Sequence, residues 1–367
     1  MTPYWVECFG NPHSANHIIG WRAAEAVQEA KEAVAVMIGA DANEIVLTSG
    51  ATEANNLALL GLGNGTDDRR RRILVSEIEH KCVLAAATAV AAQRGFTLQT
   101  IPVDHAGFVD LDWLSSEVDE TVLVVSVMAV NNEIGTIQDI ASITSLLEPH
   151  GALFHCDAAQ APCAMDVRDL ASHVDLISLS GHKFYGPQGI GALRVRRELS
   201  GHLEPIIHGG GQQDGLRSGT IPVALSVGMG AAAEIMSSDR ERLDRKRVEA
   251  LRDRFIQKLQ QESIRFQVCG PSGTRRHPGN ANLRFQGFDA LDILARLQPR
   301  LAASTGSACT SGIPEPSHVL RALGLSGEEA ESSIRFSFGR FSTEAEVDDA
   351  ARLLIAALSR SSGKMCR

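Results

Sequence analysis

Short apolar runs alternating with helical stretches constrain this chain more than any other feature. The runs fall at residues 45–47, 73–75, 98–103, 122–127, 153–156, 176–179 and 190–195. Strands separated by helices predict an α/β architecture whose sheet is largely parallel, because a parallel pair needs a crossover and a helix is the usual one. The first helix is expected over 21–38, where Ala24, Val27, Lys31, Val34 and Ile38 recur at spacings of three and four and Gly39 ends the pattern. From Arg240 the pattern changes. Leu243, Val248, Leu251, Phe255 and Leu259 mark one long amphipathic helix, followed by strands expected at 281–285 and 333–338 and a last helix over 343–358. A length of 367 residues exceeds the ~250–300 that one hydrophobic core usually serves. The expectation is therefore two domains, a large one over 1–235 and a smaller α+β one over 236–367.

Charge and cysteine usage narrow the function classes. A formal charge of −9 disfavours direct nucleic-acid binding, which needs a concentrated excess of Lys and Arg. The run Arg69 to Arg72 is the contrary hint; lying between Asp68 and the apolar run at 73–75, it reads as a solvated turn before a strand. Seven cysteines cannot all pair within one chain and none forms C-x-x-C, which predicts reduced thiols and a cytoplasmic location. No apolar run reaches the ~18 residues of a membrane span, Glu7, Asn11 and His13 stand where a secretory signal would be apolar, and no spacing resembles a zinc site. The GLGNG stretch at Gly61 follows a helix rather than a strand, and reads as a helix cap and turn instead of a dinucleotide site.

Three segments carry chemistry. In SLSGHKFYGP from Ser178, Lys183 follows a strand end, where open α/β sheets bind their ligands. Partial desolvation there would lower its pKa, as an imine-forming amine requires, although a surface loop lysine is the plain alternative. In LFHCDAAQ from Leu153, Asp157 ends another buried strand, where a carboxylate needs a partner unless it merely caps a helix. In a pyridoxal 5'-phosphate site that partner would be the protonated ring nitrogen, and Gln160 could address the phenolic oxygen. In LTSGATEA from Leu47, a strand breaks at Gly50 into a helix whose N–H groups near Ala51 and Thr52 can face a phosphate, though Thr with Glu nearby is also ordinary helix-start chemistry. His80, in EHKC, can stack on a ring or move protons, or simply begin a helix. Cys309 sits in LAASTGSACTSG, a run of small residues with little bulk to bury a thiol.

These residues lie in nine runs: FGNPHSANHIIG from Phe9, TSGATEANN from Thr48, SEIEHKCV from Ser76, VNNEIGTIQDI from Val130, HCDAAQ from His155, SLSGHKFYGPQGIG from Ser178, GGGQQDGLRSGT from Gly209, STGSACTSG from Ser304 and IRFSFGRF from Ile334. In this order they resemble the class I (NifS/IscS-like) cysteine desulfurases of the class V aminotransferase group. The resemblance implies fold type I of the pyridoxal-phosphate transferases, a homodimer, and L-cysteine as substrate. It implies Lys183 as the Schiff-base lysine, Asp157, Gln160 and Asn132 on the cofactor, and His80 stacked over it. Ala51, Thr52, Ser180 and His182 would hold the phosphate, with Thr220 arriving from the other subunit. Arg335 would grip the substrate carboxylate, a two-pronged contact that lysine replaces poorly, where a surface ion pair is the alternative. Cys309 would take the substrate sulfur as a persulfide and pass it to an acceptor protein, leaving alanine.

Family members usually begin with a Tyr-Leu-Asp-x-x-Ala-Thr-Thr type run that contributes to the small domain and substrate pocket, and the matching region here starts after it. An inactive or partner-dependent homologue serving as an assembly subunit is therefore a competing reading. A selenocysteine lyase or other class V transferase is another, against which the GSACTS context of Cys309 weighs. The acceptor stays open among iron–sulfur cluster assembly, transfer-RNA thiolation and DNA phosphorothioation.

Overall fold

The computed structural model describes residues 1–64, 69–306 and 316–359. Seven of its strands join one sheet: β1 (Ile45–Thr48), β2 (Arg72–Ser76), β3 (Thr97–Ile101), β4 (Val122–Ser126), β5 (Leu153–Asp157), β6 (Leu176–Ser180) and β7 (Gly191–Val195). Their order is β1-β7-β6-β5-β4-β2-β3. The pairs β2–β3, β2–β4, β4–β5 and β5–β6 are parallel, and β7 runs against both β6 and β1. The expected parallel sheet thus carries one reversed strand, which the short link from β6 to β7 permits because no crossover is needed. Two reversals restore direction, so β1, β5 and β6 end on the same edge. Strands β4, β6 and β7 are buried throughout, as strands of a sheet covered on both faces should be, and the buried Arg194 of β7 pairs with Glu44 at 3.1 Å.

The helix Ile18–Ile38 follows its expected stripe and ends at Gly39 in the left-handed conformation. Helix Ala51–Asn64 differs from expectation by continuing through Gly61 and Gly63. A Cβ at Gly63 would stand 2.6 Å from Val90 Cγ1, so glycine serves helix–helix approach there instead of a cap. The arginine run is less solvated than its sequence suggests. Arg70 donates to the carbonyls of Val122 and His150, and Arg72 pairs with Glu117 at 2.9 Å and Asp119 at 3.0 Å.

The described chain divides into two compact units, the first comprising 1–101, 110–130 and 138–241, the second 102–109, 131–137 and 242–367. The sequence placed a single break near residue 235; the excursions at 102–109 and 131–137 leave no mark in apolar periodicity. In the second unit β8 (Gln267–Val268), β9 (Asn280–Arg284) and β10 (Ser333–Ser337) form an antiparallel sheet of order β10-β9-β8. Its core joins Phe255 of helix Asp239–Gln261 to Phe285, Ile293, Phe336 and Leu354, with the Phe255 and Phe336 rings 4.9 Å apart. Among the described residues no helix is long and apolar enough to cross a membrane.

Candidate active site

The first unit assembles its polar groups where β1, β5 and β6 end. Asp157, the last residue of β5, is 4% exposed. It accepts the Ala159 backbone N–H at 2.9 Å and Asn55 Nδ2 at 2.7 Å. Asn55 is fully buried on the helix that follows β1, and its Oδ1 has no hydrogen-bond partner among the described residues. Burial of such an atom is costly unless something completes it. Next to it, Glu79 is also fully buried, its Oε1 accepting the Met128 N–H. Burial, then the nearby Asp157 charge, pushes the Glu79 carboxyl well above the usual carboxylate range.

The turn after β1 forms the expected cradle. The first bond of helix Ala51–Asn64 runs from Ala54 N–H to the Gly50 carbonyl, so the N–H groups of Ala51, Thr52 and Glu53 precede the helical ladder. Gly50 has a φ of +154°, and a Cβ there would meet only Ser180 Oγ, at 3.9 Å. Gly191 of β7 comes close behind it, since a Cβ on Gly191 would stand 2.6 Å from the Gly50 Cα. Ser180 is buried at the end of β6, its Oγ 3.2 Å from His182 Nδ1. Burial and the adjacent Lys183 lower the His182 pKa from 6.5. Glu53 locks the cradle from beneath: its carboxylate accepts Ser49 N–H at 2.8 Å and Arg217 at 2.7 and 3.2 Å. Burial raises the Glu53 pKa, but the hydrogen bonds from Arg217 and Ser49 outweigh it and hold the carboxyl below its ordinary range.

His80 is the N-cap of helix Lys81–Arg94, its Nδ1 accepting the Cys82 backbone N–H at 3.2 Å. Cys82 Sγ lies 2.9 Å from the same nitrogen and accepts Asn55 Nδ2 at 3.2 Å. Lys183 sits in the short 3-10 turn Gly181–Phe184 with an exposed side chain. This differs from the partly desolvated lysine expected, because the turn carries it past the buried end of β6. Gln160 is half-buried, and Thr220 is exposed at the end of the 209–220 segment.

In the second unit Arg335, on β10, donates from Nη1 to the Asn132 carbonyl at 2.9 Å. Asn132 and Arg335 thus lie together within the second unit. Arg335 Nε is buried with no hydrogen-bond partner among the described residues. Beside it Glu133, 5% exposed, accepts Ser317 Oγ at 2.5 Å, and a Cβ on Gly306 would stand 2.7 Å from its Oε2. Glu133 thus lies against described residues on either side of 307–315, Gly306 and Ser317. Cys309 lies outside the described residues.

Sequence reasoning overlooked Asn55, Glu53, Glu79, Cys82 and Glu133. Asn55 was within reach of it, being three and four residues beyond Thr52 and Ala51 on one helix face.

The aminotransferase class-V family model matches residues 1–349. The cysteine desulfurase IscS of Rickettsia rickettsii (strain Iowa) is 43% identical over 360 residues, covering 98% of this chain and 87% of that protein. The chain belongs to the class-V aminotransferase family. A solved NifS-like protein superimposes with a TM-score of 0.89 at 33% identity, covering 98% of this chain and 94% of its own. The structure of SspA in complex with cysteine gives 0.79 at 35% identity, covering 93% and 94%. Pyridoxal 5'-phosphate is the cofactor of this family. The residues here fit it: a buried carboxylate for a ring nitrogen, an orphaned buried amide oxygen, and a helix N-terminus opening at a glycine for a phosphate.

Proposed function

We propose that this protein is a cysteine desulfurase that converts L-cysteine to L-alanine and carries the sulfur on Cys309 as a persulfide. Bound pyridoxal phosphate supplies an electron sink that labilises bonds at the substrate's α and β carbons. Asp157, positioned by Asn55 and Ala159, would face the ring nitrogen and favour its protonated form. Ala51 and Thr52 with Ser180 and His182 hold the phosphate, joined by Thr220 of the second subunit in a homodimer. Lys183 provides the amine that anchors the cofactor and moves protons with His80. Gln160 and Asn132 complete the ring contacts. Arg335 takes the substrate carboxylate, for which its unpartnered buried Nε is ready.

The Cys309 thiolate attacks the substrate sulfur; the carbon–sulfur bond breaks, the β carbon gains a proton, and the enzyme keeps the sulfur. One cysteine and one thiol thus become one alanine and one persulfide, with no external oxidant. An acceptor protein then takes the terminal sulfur, with iron–sulfur cluster assembly ahead of transfer-RNA or DNA sulfur modification as the destination. The observation that carries this reading is the buried Asp157–Asn55 pair beside an open phosphate cradle, in a chain 43% identical to a cysteine desulfurase IscS. Incubation of the cofactor-loaded protein with L-cysteine and a thiol reductant tests it. Equal amounts of alanine and sulfide support the reading; a cofactor-loaded protein that forms no alanine contradicts it and favours the assembly-subunit alternative.

A further inference from the structure

The hydrogen bonds around Cys82 form a continuous line with a direction. Asp157, an acceptor only, fixes the Asn55 amide so that Nδ2 faces it at 2.7 Å. The second Nδ2 hydrogen goes to Cys82 Sγ at 3.2 Å. The thiol in turn lies 2.9 Å from His80 Nδ1, which already accepts the Cys82 backbone N–H at 3.2 Å. A nitrogen that accepts a backbone N–H carries no proton itself. Thr52 also hydrogen-bonds the thiol, but across the 2.9 Å contact only the sulfur has a proton to give, sharing the single Nδ1 lone pair with the backbone N–H, and a neutral His80 then bears its proton on Nε2.

We infer that Cys82 is a positioning residue: its thiol donates to His80 Nδ1, holds the imidazole in the Nε2–H tautomer, and joins it through Asn55 to the Asp157 carboxylate. Burial comes first among the causes that raise the Cys82 pKa, with the Asp157 charge adding to it, so the thiol stays protonated as a donor must. The consequence for chemistry is specific. His80 meets the site as a proton donor at Nε2, and its other nitrogen is occupied. The same feature separates the roles of two cysteines: Cys82 is kept neutral and hydrogen-bonded, which unsuits it for attack on the substrate sulfur.

This inference deepens the desulfurase reading and rests on it only for the use His80 makes of its proton. The test uses full-length, cofactor-loaded protein with 15N-labelled histidine, the His80 signals being assigned by their loss in His80→Gln. Cys82→Ala should move the Nδ1 resonance toward that of an imidazole nitrogen without a strong donor and populate the second tautomer. Cys82→Ser keeps a donor and acceptor at the same place and should preserve the wild-type signals. In turnover, kcat should fall roughly tenfold in Cys82→Ala with KM unchanged, and return to within about threefold of wild type in Cys82→Ser. An Nδ1 resonance unmoved in Cys82→Ala would overturn the inference, as would Cys82→Ser behaving like Cys82→Ala, which would mark a packing role. The spectra decide this even if the protein proves unable to turn over cysteine, an outcome that would sink the desulfurase reading alone.

Discussion

Replacing Glu53 by glutamine should loosen the phosphate cradle without touching any residue assigned to bind the cofactor. The carboxylate accepts Arg217 Nε at 2.7 Å, Arg217 Nη2 at 3.2 Å and Ser49 N–H at 2.8 Å. The paired side chains are 10% and 19% exposed, so little water is on hand to take over. Removing one partner of a buried ion pair costs ~3–5 kcal/mol. Glutamine retains an oxygen for Ser49 or for one arm of Arg217, which cuts the loss to about 2 kcal/mol. At roughly 2–4 °C per kcal/mol for a unit of this size, the first thermal transition should fall by about 4–8 °C. Because Ser49 precedes the cradle glycine, cofactor affinity should weaken about tenfold, equivalent to ~1.4 kcal/mol. Thermal unfolding with and without pyridoxal phosphate, and titration followed by visible absorbance, give both quantities. A double-mutant cycle with Arg217→Met isolates the pair. A Glu53→Gln protein within ~0.5 kcal/mol of wild type, or an additive cycle, would show that the Glu53–Arg217 pair does not hold the cradle.

Three other outcomes follow from the same geometry. Arg335→Lys should raise KM for cysteine at least about tenfold while changing kcat less, since a point charge replaces a planar fork; steady-state kinetics in which only kcat falls would contradict a carboxylate-binding role. Glu79 has a folded-state pKa raised above its ordinary value of 4.5, so its contribution is present below that value and lost as pH rises toward the folded one. Glu79→Gln should therefore gain stability relative to wild type as pH rises above about 4.5, and a pH-independent difference in urea unfolding would show that Glu79 is ionised in the fold. Phe255→Ala, which empties the centre of the second unit's core, should cost ~3–5 kcal/mol in urea unfolding; a loss under about 1 kcal/mol would mean that the Phe285 and Phe336 neighbours close the cavity.

Short apolar runs revealed the strands of the large sheet because most are buried runs bounded by turn residues, β3 at the sheet's edge being the more exposed one, and they placed Lys183 and Asp157 at strand ends. The direction of β7 was hidden, since a fully buried strand has the same composition whichever way it runs. Pairings across long stretches of sequence, such as Glu53 with Arg217 and Asn55 with Asp157, have no local pattern to betray them. His80 was legible as a helix start, and the fold places it there as the N-cap of helix Lys81–Arg94; the functional role proposed for it uses that same bond to set the ring's tautomer. The second unit's borrowed segments escaped notice because Asn132 and Glu133 sit in a loop whose ties to Arg335 and Ser317 are backbone and short polar contacts.

Under the proposed mechanism Cys309 receives the substrate's sulfur. Cofactor-loaded protein would be mixed briefly with L-cysteine without reductant, alkylated, digested, and the cysteine-containing peptides weighed. The expected result is one additional sulfur atom on the Cys309 peptide, none on the Cys82 peptide, and no alanine above background from Cys309→Ala. Alanine formed by Cys309→Ala at the wild-type rate, or the extra sulfur on another cysteine, would contradict it.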